Sequence, residues 1–226
     1  MDIGTSSTKA VVVDEKGKIL AEGLSETYAV EMPKPAWAQQ EAKMWVKGFK
    51  EAVTRALDKP GILSKNIAAM CISGLYGGTG VPVDESFEPL YPALIWMDKR
   101  AVEETQWVKE NLGWEKIFEL TGNYVDPYFG YTKLLWLKKH EPDVWKKTRL
   151  FLTPKDYVIH LLTGEVVIDL SSAGNIGGVF DVEKKKWSEE AAELLSIELS
   201  KFPERVVESS EIVGRLDSAW ANKLGL

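Results

Sequence analysis

Eight residues at the amino end combine an acid, a glycine and a run of hydroxyls ahead of an apolar strand. They read Asp2-Ile3-Gly4-Thr5-Ser6-Ser7-Thr8-Lys9. Such a turn can wrap a phosphate, because Gly4 admits positive φ and close backbone approach while amides and hydroxyls from Thr5 to Ser7 donate to phosphate oxygens. Beside the phosphates, the Asp2 carboxylate would hold a hydrated divalent cation and Lys9 would add positive charge. The alternative is an ordinary turn with a solvated lysine, since Asp-x-Gly is a common turn signal.

Composition and charge narrow the function classes. Of the 226 residues, 45% are hydrophobic and 27% are charged, which is ordinary for a folded chain long enough to bury a core. The formal net charge of -6 argues against a nucleic-acid partner, because no basic stretch is long enough to follow a phosphate backbone. There is no run of about 18 apolar residues and no secretory leader, so we expect no membrane partner and a cytoplasmic protein.

The pattern along the chain predicts an α/β domain. Alternation predicts a hairpin over residues 8–14 and 19–28, and apolar residues at three- and four-residue spacing predict helices over 41–57, 99–111, 114–120 and 132–139. An apolar run predicts a buried strand over 67–73 that would enclose Cys71, the single cysteine, as an inert thiol. A glycine loop follows, where α/β proteins place ligands. Because only Met1 precedes Asp2, either a strand is missing before the opening turn or the motif is frayed.

Ten short motifs follow one another in a fixed order along essentially the whole chain. They are the opening segment Asp2 to Lys9, Trp37-Ala38-Gln39-Gln40 with Trp45, Ile72-Ser73-Gly74, Trp96-Met97-Asp98-Lys99-Arg100, Thr121-Gly122-Asn123, Asp126-Pro127-Tyr128-Phe129, Lys133-Leu134-Leu135-Trp136, Pro154-Lys155-Asp156-Tyr157, Leu162-Thr163-Gly164-Glu165 and Asp169-Leu170-Ser171-Ser172-Ala173-Gly174. Together they resemble the amino-terminal domain of the FGGY family of carbohydrate kinases, with xylulokinases and glycerol kinases as relatives. Each motif is weak alone, whereas ten in order are a specific signal.

The resemblance implies a ribonuclease-H-like, actin-type α/β fold: a mixed five-stranded sheet flanked by helices, with a helical insert. Residues 1–226 would form the sugar-binding amino-terminal domain, and the carboxyl-terminal nucleotide-binding domain would be absent from this chain. The family's general base, an aspartate in a Gly-Gly-x-Asp stretch, would then lie beyond Leu226. We therefore expect this half alone to be inactive and to lack tight ATP binding.

The implied activity is ATP-dependent phosphorylation of a sugar or polyol hydroxyl, with a xylulose-like ketose as the first candidate. ATP and Mg²⁺ are the implied cofactors, and Asp2 is the implied metal-associated carboxylate. The residues expected to face the phosphates are Gly4, Thr5, Ser6, Ser7 and Lys9. These groups suit phosphoryl transfer, which depends on positioning and charge neutralisation. The expected partners are the small-molecule substrate and the carboxyl-terminal domain, with a homodimer as an open option.

At the sugar site the chain departs from the resemblance. Xylulokinases carry a Met-His pair and glycerol kinases an Arg-Glu pair where this chain has Tyr76-Gly77. A phenol can hydrogen-bond a hydroxyl or stack on a sugar ring, whereas Gly77 would leave a roomier pocket or hold the polyol differently. Packing of Tyr76 under the glycine loop is equally open. Tyr128 matches a tyrosine that lines the polyol site of glycerol kinases.

Three further residues are assigned to the substrate side by resemblance. Asp98 and Arg100 lie in a Trp-x-Asp-x-Arg stretch similar to the family's loop beside the cleft, although a structural salt bridge at a helix start is slightly favoured. Gln40 resembles a residue of a loop over the same cleft. A non-catalytic sugar-binding or regulatory module is the rival function. A ribonuclease-H-type nuclease fits poorly, because two-metal cleavage needs several clustered carboxylates.

Overall fold

The computed structural model describes residues 1–226, which form nine α-helices and twelve short strands. The helices are α1 (Ala42–Leu57), α2 (Val102–Asn111), α3 (Trp114–Thr121), α4 (Gly130–His140), α5 (Pro142–Lys147), α6 (Pro154–Thr163), α7 (Leu170–Ile176), α8 (Glu189–Leu195) and α9 (Ser218–Leu224). The strands are β1 (Asp2–Ile3), β2 (Thr8–Val13), β3 (Ile19–Leu24), β4 (Gln39–Gln40), β5 (Ser73–Gly74), β6 (Val81–Val83), β7 (Ala93–Leu94), β8 (Leu150–Leu152), β9 (Val167–Asp169), β10 (Phe180–Asp181), β11 (Lys186–Trp187) and β12 (Arg205–Val207). None of the helices combines the length and apolarity needed to cross a bilayer.

The main sheet is mixed, in the order β3-β2-β1-β5. β1 runs antiparallel to β2 and parallel to β5, so this two-residue strand lies inside the sheet. The sheet has four strands where five were expected, because the remaining strands form two-stranded pairs: β4 with β7, β6 with β8, β9 with β12, and β10 with β11. Because β1 has one parallel and one antiparallel neighbour, the carboxyl ends of β1 and β5 and the amino end of β2 lie at the same end of the sheet.

The opening motif is anchored by this sheet and is not frayed, contrary to one of the two expectations. In the register, Asp2 lies opposite Lys9 on one side and Ser73 on the other. The amide of Ser73 donates to the Met1 carbonyl at 2.9 Å, and the amide of Leu75 donates to the Ile3 carbonyl at 2.9 Å. Pairing on both sides holds the turn that follows β1 in one position.

The long helix α1 forms where its apolar period predicted a helix, and it covers β2 and β3. Its buried face includes Trp45, Phe49 and Ala52. The backbones approach closely at Gly23 of β3, where an added Cβ would lie 2.1 Å from the Ala52 carbonyl oxygen. Only glycine therefore permits this helix to lie so near the sheet.

Two hydrophobic cores divide the molecule. One packs Ile3, Trp45 and Phe49 between the sheet and the helices α1 and α6. The other fills the helical half around Tyr131 and Phe180, which accords with the expected helical insert on the sheet. The predicted helices of this half are confirmed with small shifts at their ends, and α2 starts at Val102 instead of residue 99.

The predicted buried strand over residues 67–73 is wrong. Only Ser73 and Gly74 form β5, and Cys71 is exposed instead of enclosed. In the structure only Ser73 and Gly74 pair with β1, and residues 67–72 have no strand beside them, so they do not form a ladder. An apolar run forms a strand only where a partner strand lies beside it.

We expect Gly23→Ala to destabilise the fold. Its Cβ would overlap backbone atoms that cannot rotate away, so the free energy of unfolding should fall by about 3 kcal/mol. Chemical denaturation monitored by circular dichroism measures this change. The matched control is Glu22→Ala on the exposed face of the same strand, which should stay within about 0.5 kcal/mol. Equal stability of the two variants would contradict the close packing of α1 on β3.

Candidate functional site

The turn between β1 and β2 is a tight backbone loop of four residues. Its amide at Gly4 donates to the Ser7 carbonyl oxygen at 3.0 Å. A Cβ at Gly4 would lie 2.9 Å from that same oxygen, so the position needs glycine for close approach. Gly4 is not among the residues with positive φ, so the expected left-handed conformation is not the reason for glycine here.

Three successive carbonyls of this turn are held from one side. The Tyr28 hydroxyl donates to the Gly4 oxygen at 2.6 Å, and the Tyr28 amide donates to the Ser6 oxygen at 2.9 Å. Between them, the side-chain amide of Gln40 donates to the Thr5 oxygen at 2.8 Å. Each peptide plane of the turn is thus fixed by a donor from β4 or from the segment after β3.

Fixing the carbonyls also fixes the amides. In a planar trans peptide the N–H points opposite to the C=O, so the amides of Thr5, Ser6 and Ser7 face away from Tyr28 and Gln40. None of these three amides donates to a backbone carbonyl in the structure. Consecutive free amides on one side of a turn form a concave anion site, which suits phosphate oxygens.

Charged side chains stand beside this turn on one face of the sheet. Asp2 and Lys9 are cross-strand neighbours, so their side chains point the same way, and both are exposed. Neither takes part in an ion pair of the chain, so both charges are available to a ligand. A carboxylate next to free phosphate-binding amides fits Mg²⁺, which takes one or two carboxylates, waters and phosphate oxygens.

The structure places Gln40 behind the turn and not over a substrate cleft. Its side chain is 0% exposed, and its amide also donates to the Ala29 oxygen at 3.1 Å. The indole of Trp45 donates to the Gln40 Oε1 atom at 3.3 Å. Gln40 can therefore act on a ligand only through the peptide that it orients, and its assignment as a direct substrate contact is corrected.

Tyr28 was missed by sequence reasoning, although it holds two of the three peptides. Its hydroxyl also lies 3.2 Å from the Thr8 Oγ1 atom. Burial raises the pKa of the Tyr28 phenol, so the hydroxyl keeps the proton that it donates. No local pattern marks this tyrosine, because its role depends on the path of the chain after β3.

Asp98 and Arg100 form a buried structural pair, so their assignment to the substrate is corrected as well. Their side chains are both fully buried and lie 2.8 Å apart. Asp98 Oδ2 accepts from the Ala38 amide at 2.7 Å, and the guanidinium packs against the rings of Trp37 and Trp136, at 3.7 and 4.7 Å from their centroids. The salt-bridge alternative is the arrangement observed, and it joins the segment before β4 to the one before α2.

An aromatic cleft lies beside the turn. Tyr76 is 55% exposed and Trp96 is 41% exposed. Gly77 has φ of +77°, and a Cβ there would lie 3.0 Å from the Trp96 Cβ and 3.2 Å from the Tyr128 hydroxyl. The expected roomier pocket at Gly77 is therefore not formed, because Tyr128 and Trp96 already occupy that space.

The two tyrosines of the cleft, Tyr76 and Tyr128, lie close enough for one phenol to affect the pKa of the other. Burial, and to a smaller extent the neighbouring Tyr76 phenol, raises the pKa of the Tyr128 phenol. The Tyr128 hydroxyl therefore keeps its proton at neutral pH, and both hydroxyls can donate to a hydroxylated ligand. The cavity beneath the glycine loop measures about 20 Å³, which holds a single water and is too small for a sugar. The open side of the loop presents the exposed aromatic side chains of Tyr76 and Trp96.

One side chain joins the cleft to the turn. The indole N–H of Trp96 donates to the Thr5 Oγ1 atom at 3.1 Å. A ligand lying on Trp96 is therefore next to a ligand held by the amides of the turn. Trp96 belongs to one of the ten motifs but was not assigned to the site from sequence. The signal that could have identified it is an aromatic residue just ahead of the charged pair Asp98 and Arg100.

The whole chain is similar to known proteins. The model of the FGGY family of carbohydrate kinases, N-terminal domain, matches residues 1–226. The chain belongs to the FGGY family. The xylulose kinase of Staphylococcus xylosus is 34% identical over 227 residues, and the glycerol kinase of Thermococcus onnurineus is 32% identical over 219 residues. These alignments cover 100% and 95% of the chain but only 46% and 43% of the relatives, so the chain spans about half the length of the relatives it matches.

The same relationship holds for structure. The xylulose kinase of Rhodospirillum rubrum superposes with a TM-score of 0.90 at 25% identity, covering 100% of this chain and 46% of that one. The chain thus has the actin-like ATPase fold of FGGY sugar kinases, which confirms the predicted fold class. In this chain Gly77 shares its space with Tyr128.

Gly77→Ala tests the packing of the cleft. The added Cβ would press on Tyr128 and Trp96 and would also be strained at positive φ, so the free energy of unfolding should fall by about 3 kcal/mol. The matched control is Gly164→Ala, which has φ of +76° but no heavy atom within 4 Å of its Cβ, and which should cost about 1 kcal/mol. Thermal and urea denaturation measure both. If the two variants lose the same stability, the contact with Tyr128 carries no weight.

Proposed function

We propose that this chain forms the sugar- and phosphate-binding side of an ATP-dependent carbohydrate kinase that phosphorylates a hydroxyl of a xylulose-like ketose. The observation that carries this proposal is the hydrogen bond from Trp96 to Thr5, which joins an aromatic cleft to a turn with free amides. Phosphoryl transfer needs the acceptor hydroxyl and the terminal phosphate side by side. The names of the relatives support the choice of a ketose over a triol, since several are xylulose kinases.

The phosphate end of this site consists of the turn and its two charged neighbours. The amides of Thr5, Ser6 and Ser7 would bind the β- and γ-phosphate oxygens, with Gly4 allowing the tight turn. Lys9 would neutralise charge that develops on the transferred group. Asp2 would hold the hydration shell of Mg²⁺. When bound, the metal would neutralise phosphate charge and hold the oxygens in line for transfer.

The acceptor end consists of three aromatic side chains. Tyr76 and Tyr128 would donate hydrogen bonds to hydroxyls of the ketose, and the exposed face of Trp96 would lie against its carbon chain. Three buried residues would support this site without contacting the ligand, by holding in place the segments that carry these groups: Asp98, Arg100 and Gln40. None of the three aromatic side chains is a base at neutral pH, so we propose that the proton of the attacking hydroxyl passes to a residue outside this set.

Binding of nucleotide to the turn is testable on this chain. Titration with Mg²⁺ and a non-hydrolysable ATP analogue should shift the amide resonances of Thr5, Ser6 and Ser7 in ¹⁵N-¹H NMR spectra, because these amides would donate hydrogen bonds to phosphate oxygens. Asp2→Asn should weaken the magnesium-dependent part of binding by about tenfold, because it removes the metal's carboxylate.

The control for this prediction is Glu15→Gln, an exposed acid in the turn at the opposite end of β2. It removes the same charge without approaching the turn after β1, and it should bind the nucleotide like the parent chain. Binding that leaves the three amides unperturbed, or that is equally sensitive to both variants, would refute the proposed phosphate site.

Binding of the sugar is a separate prediction. D-xylulose should shift the resonances of Gly77, Trp96 and Tyr128, and glycerol at the same concentration should shift them less. Tyr128→Phe should weaken D-xylulose binding by about fivefold to tenfold, since one hydrogen bond to the ligand is lost. Tyr124→Phe is the matched control, because this exposed tyrosine stacks on Trp114 instead of facing the cleft.

The outcomes separate the candidate functions. Perturbation of the turn by nucleotide together with binding of D-xylulose supports the kinase. Binding of a sugar without any response of the turn to nucleotide favours a non-catalytic sugar-binding module. A stronger response to glycerol than to D-xylulose would overturn the proposed substrate class while leaving the phosphate site intact.

A further inference from the structure

A lysine is enclosed beneath the aromatic cleft. Lys133, on the first turns of α4, is 0% exposed and ranks among the largest fully buried side chains of the chain. Burying an ammonium without an ion pair costs free energy, because the surrounding protein replaces its water poorly. A lysine in such a place needs acceptors strong enough to keep it there.

The acceptors are two backbone carbonyls from the two segments that form the cleft. The Lys133 Nζ atom donates to the Gly77 oxygen at 2.9 Å and to the Tyr128 oxygen. These segments also touch close by, since a Cβ at Gly130 would lie 2.3 Å from the Gly78 oxygen. The ammonium therefore joins the glycine loop to the segment that carries Tyr128, at the point where their backbones meet.

Neighbouring charges do not explain the lysine, because each already has a partner. Asp98 is paired with Arg100 at 2.8 Å, and Asp126 is paired with Lys99 at 3.4 Å. These four are the charged groups that face Lys133. The two carbonyls accept the hydrogen bonds of the ammonium, so Lys133 links the two segments directly.

We propose that Lys133 is a positioning residue of the sugar site: its ammonium sets the distance between Gly77 and Tyr128 and thereby the placement of the Tyr128 phenol over the cleft. This inference rests on the proposed function for its effect on sugar binding, but the positioning itself does not depend on it. Lys133 is enclosed and acts on the ligand only through these two segments.

The protonation of this group adds a pH dependence. Burial lowers the pKa of Lys133 to about 7; Lys99 and Arg100 act in the same direction, whereas Asp98 and Asp126 raise it. A neutral amine still has two N–H donors, so both carbonyls stay bonded, but the bonds lose the strength that the charge gives them. The link is therefore expected to loosen as the pH rises through about 7.

Global stability changes in the opposite direction. Because the pKa in the folded state lies below the unfolded value of about 10.4, the unfolded chain binds more protons between these two values. The contribution of Lys133 to the free energy of unfolding then rises with pH from about 7 to about 10. A local loosening with a simultaneous gain in global stability is a signature that a merely structural lysine at the surface would not give.

Amide hydrogen exchange of Lys133→Met, compared with the parent chain, tests the positioning role. This change keeps the length of the side chain and removes the donors. Amides of residues 76–80 and 128–131 should exchange about tenfold faster once intrinsic rates are corrected, whereas other protected amides keep their rates. Lys139→Met, an exposed lysine of the same helix, is the control and should leave both segments unchanged.

Sugar binding is measured on the same proteins at pH 6 and pH 8. The parent chain should bind D-xylulose more weakly at pH 8 than at pH 6. At pH 6, Lys133→Met should bind D-xylulose about tenfold more weakly than the parent does. The affinity of Lys133→Met should not change further at pH 8. Should the parent bind no sugar at all, the proposed function fails while the exchange data still decide the role of Lys133. Unchanged exchange in both segments would overturn the positioning role.

A second measurement covers the case in which Lys133→Met does not fold. Exchange in residues 76–80 and 128–131 of the parent chain, corrected for intrinsic rates, should rise between pH 6 and pH 8. Protected amides of α1 serve as the internal reference, since that helix contains no histidine and lies apart from Lys133. A flat profile in the two segments would overturn the proposal without any variant.

Discussion

The orientation of three peptide planes in the turn after β1 is the constraint on which the site depends. Tyr28 and Gln40 hold the carbonyls of Gly4, Thr5 and Ser6, and planarity then turns the following amides outward. These donors arrive only because α1 lies close to the sheet. A Cβ at Gly48 of α1 would come within 2.9 Å of the Tyr28 ring, so the geometry of the turn depends on how closely the helix packs.

Buried charge is used in two different ways around the cleft. Asp98 and Arg100 neutralise each other and are enclosed by the rings of Trp37 and Trp136, which suits a weakly hydrated guanidinium. Lys133 instead has no ion-pair partner and donates to two carbonyls, and its burial lowers the pKa of the ammonium to about 7. The Asp98–Arg100 pair thus holds two opposite charges in contact, whereas the proposed pH dependence comes from the single charge of Lys133.

Local pattern predicted the helices and the opening turn, because apolar periodicity and turn residues act within a few positions. It failed for residues 67–72, because a strand forms only where a partner from another part of the chain lies beside it. The structural salt bridge of Asp98 and Arg100 was favoured from sequence, but the supporting role of Gln40 was not recognised. Which side of a short motif is buried depends on segments that no spacing rule connects. For the same reason Tyr28 has no sequence signal, and Lys133 was noted only as part of a motif, without a role.

Gly77 and Tyr128 share one volume. The hydroxyl of Tyr128 lies 3.2 Å from the position of a Cβ at residue 77, so a change in the size of one side chain changes the room left for the other. Substitutions at positions 77 and 128 would therefore not be independent, and their effects on stability would not add. The segments that carry Gly77 and Tyr128 are far apart in the sequence, so the shape of the cleft depends on both at once.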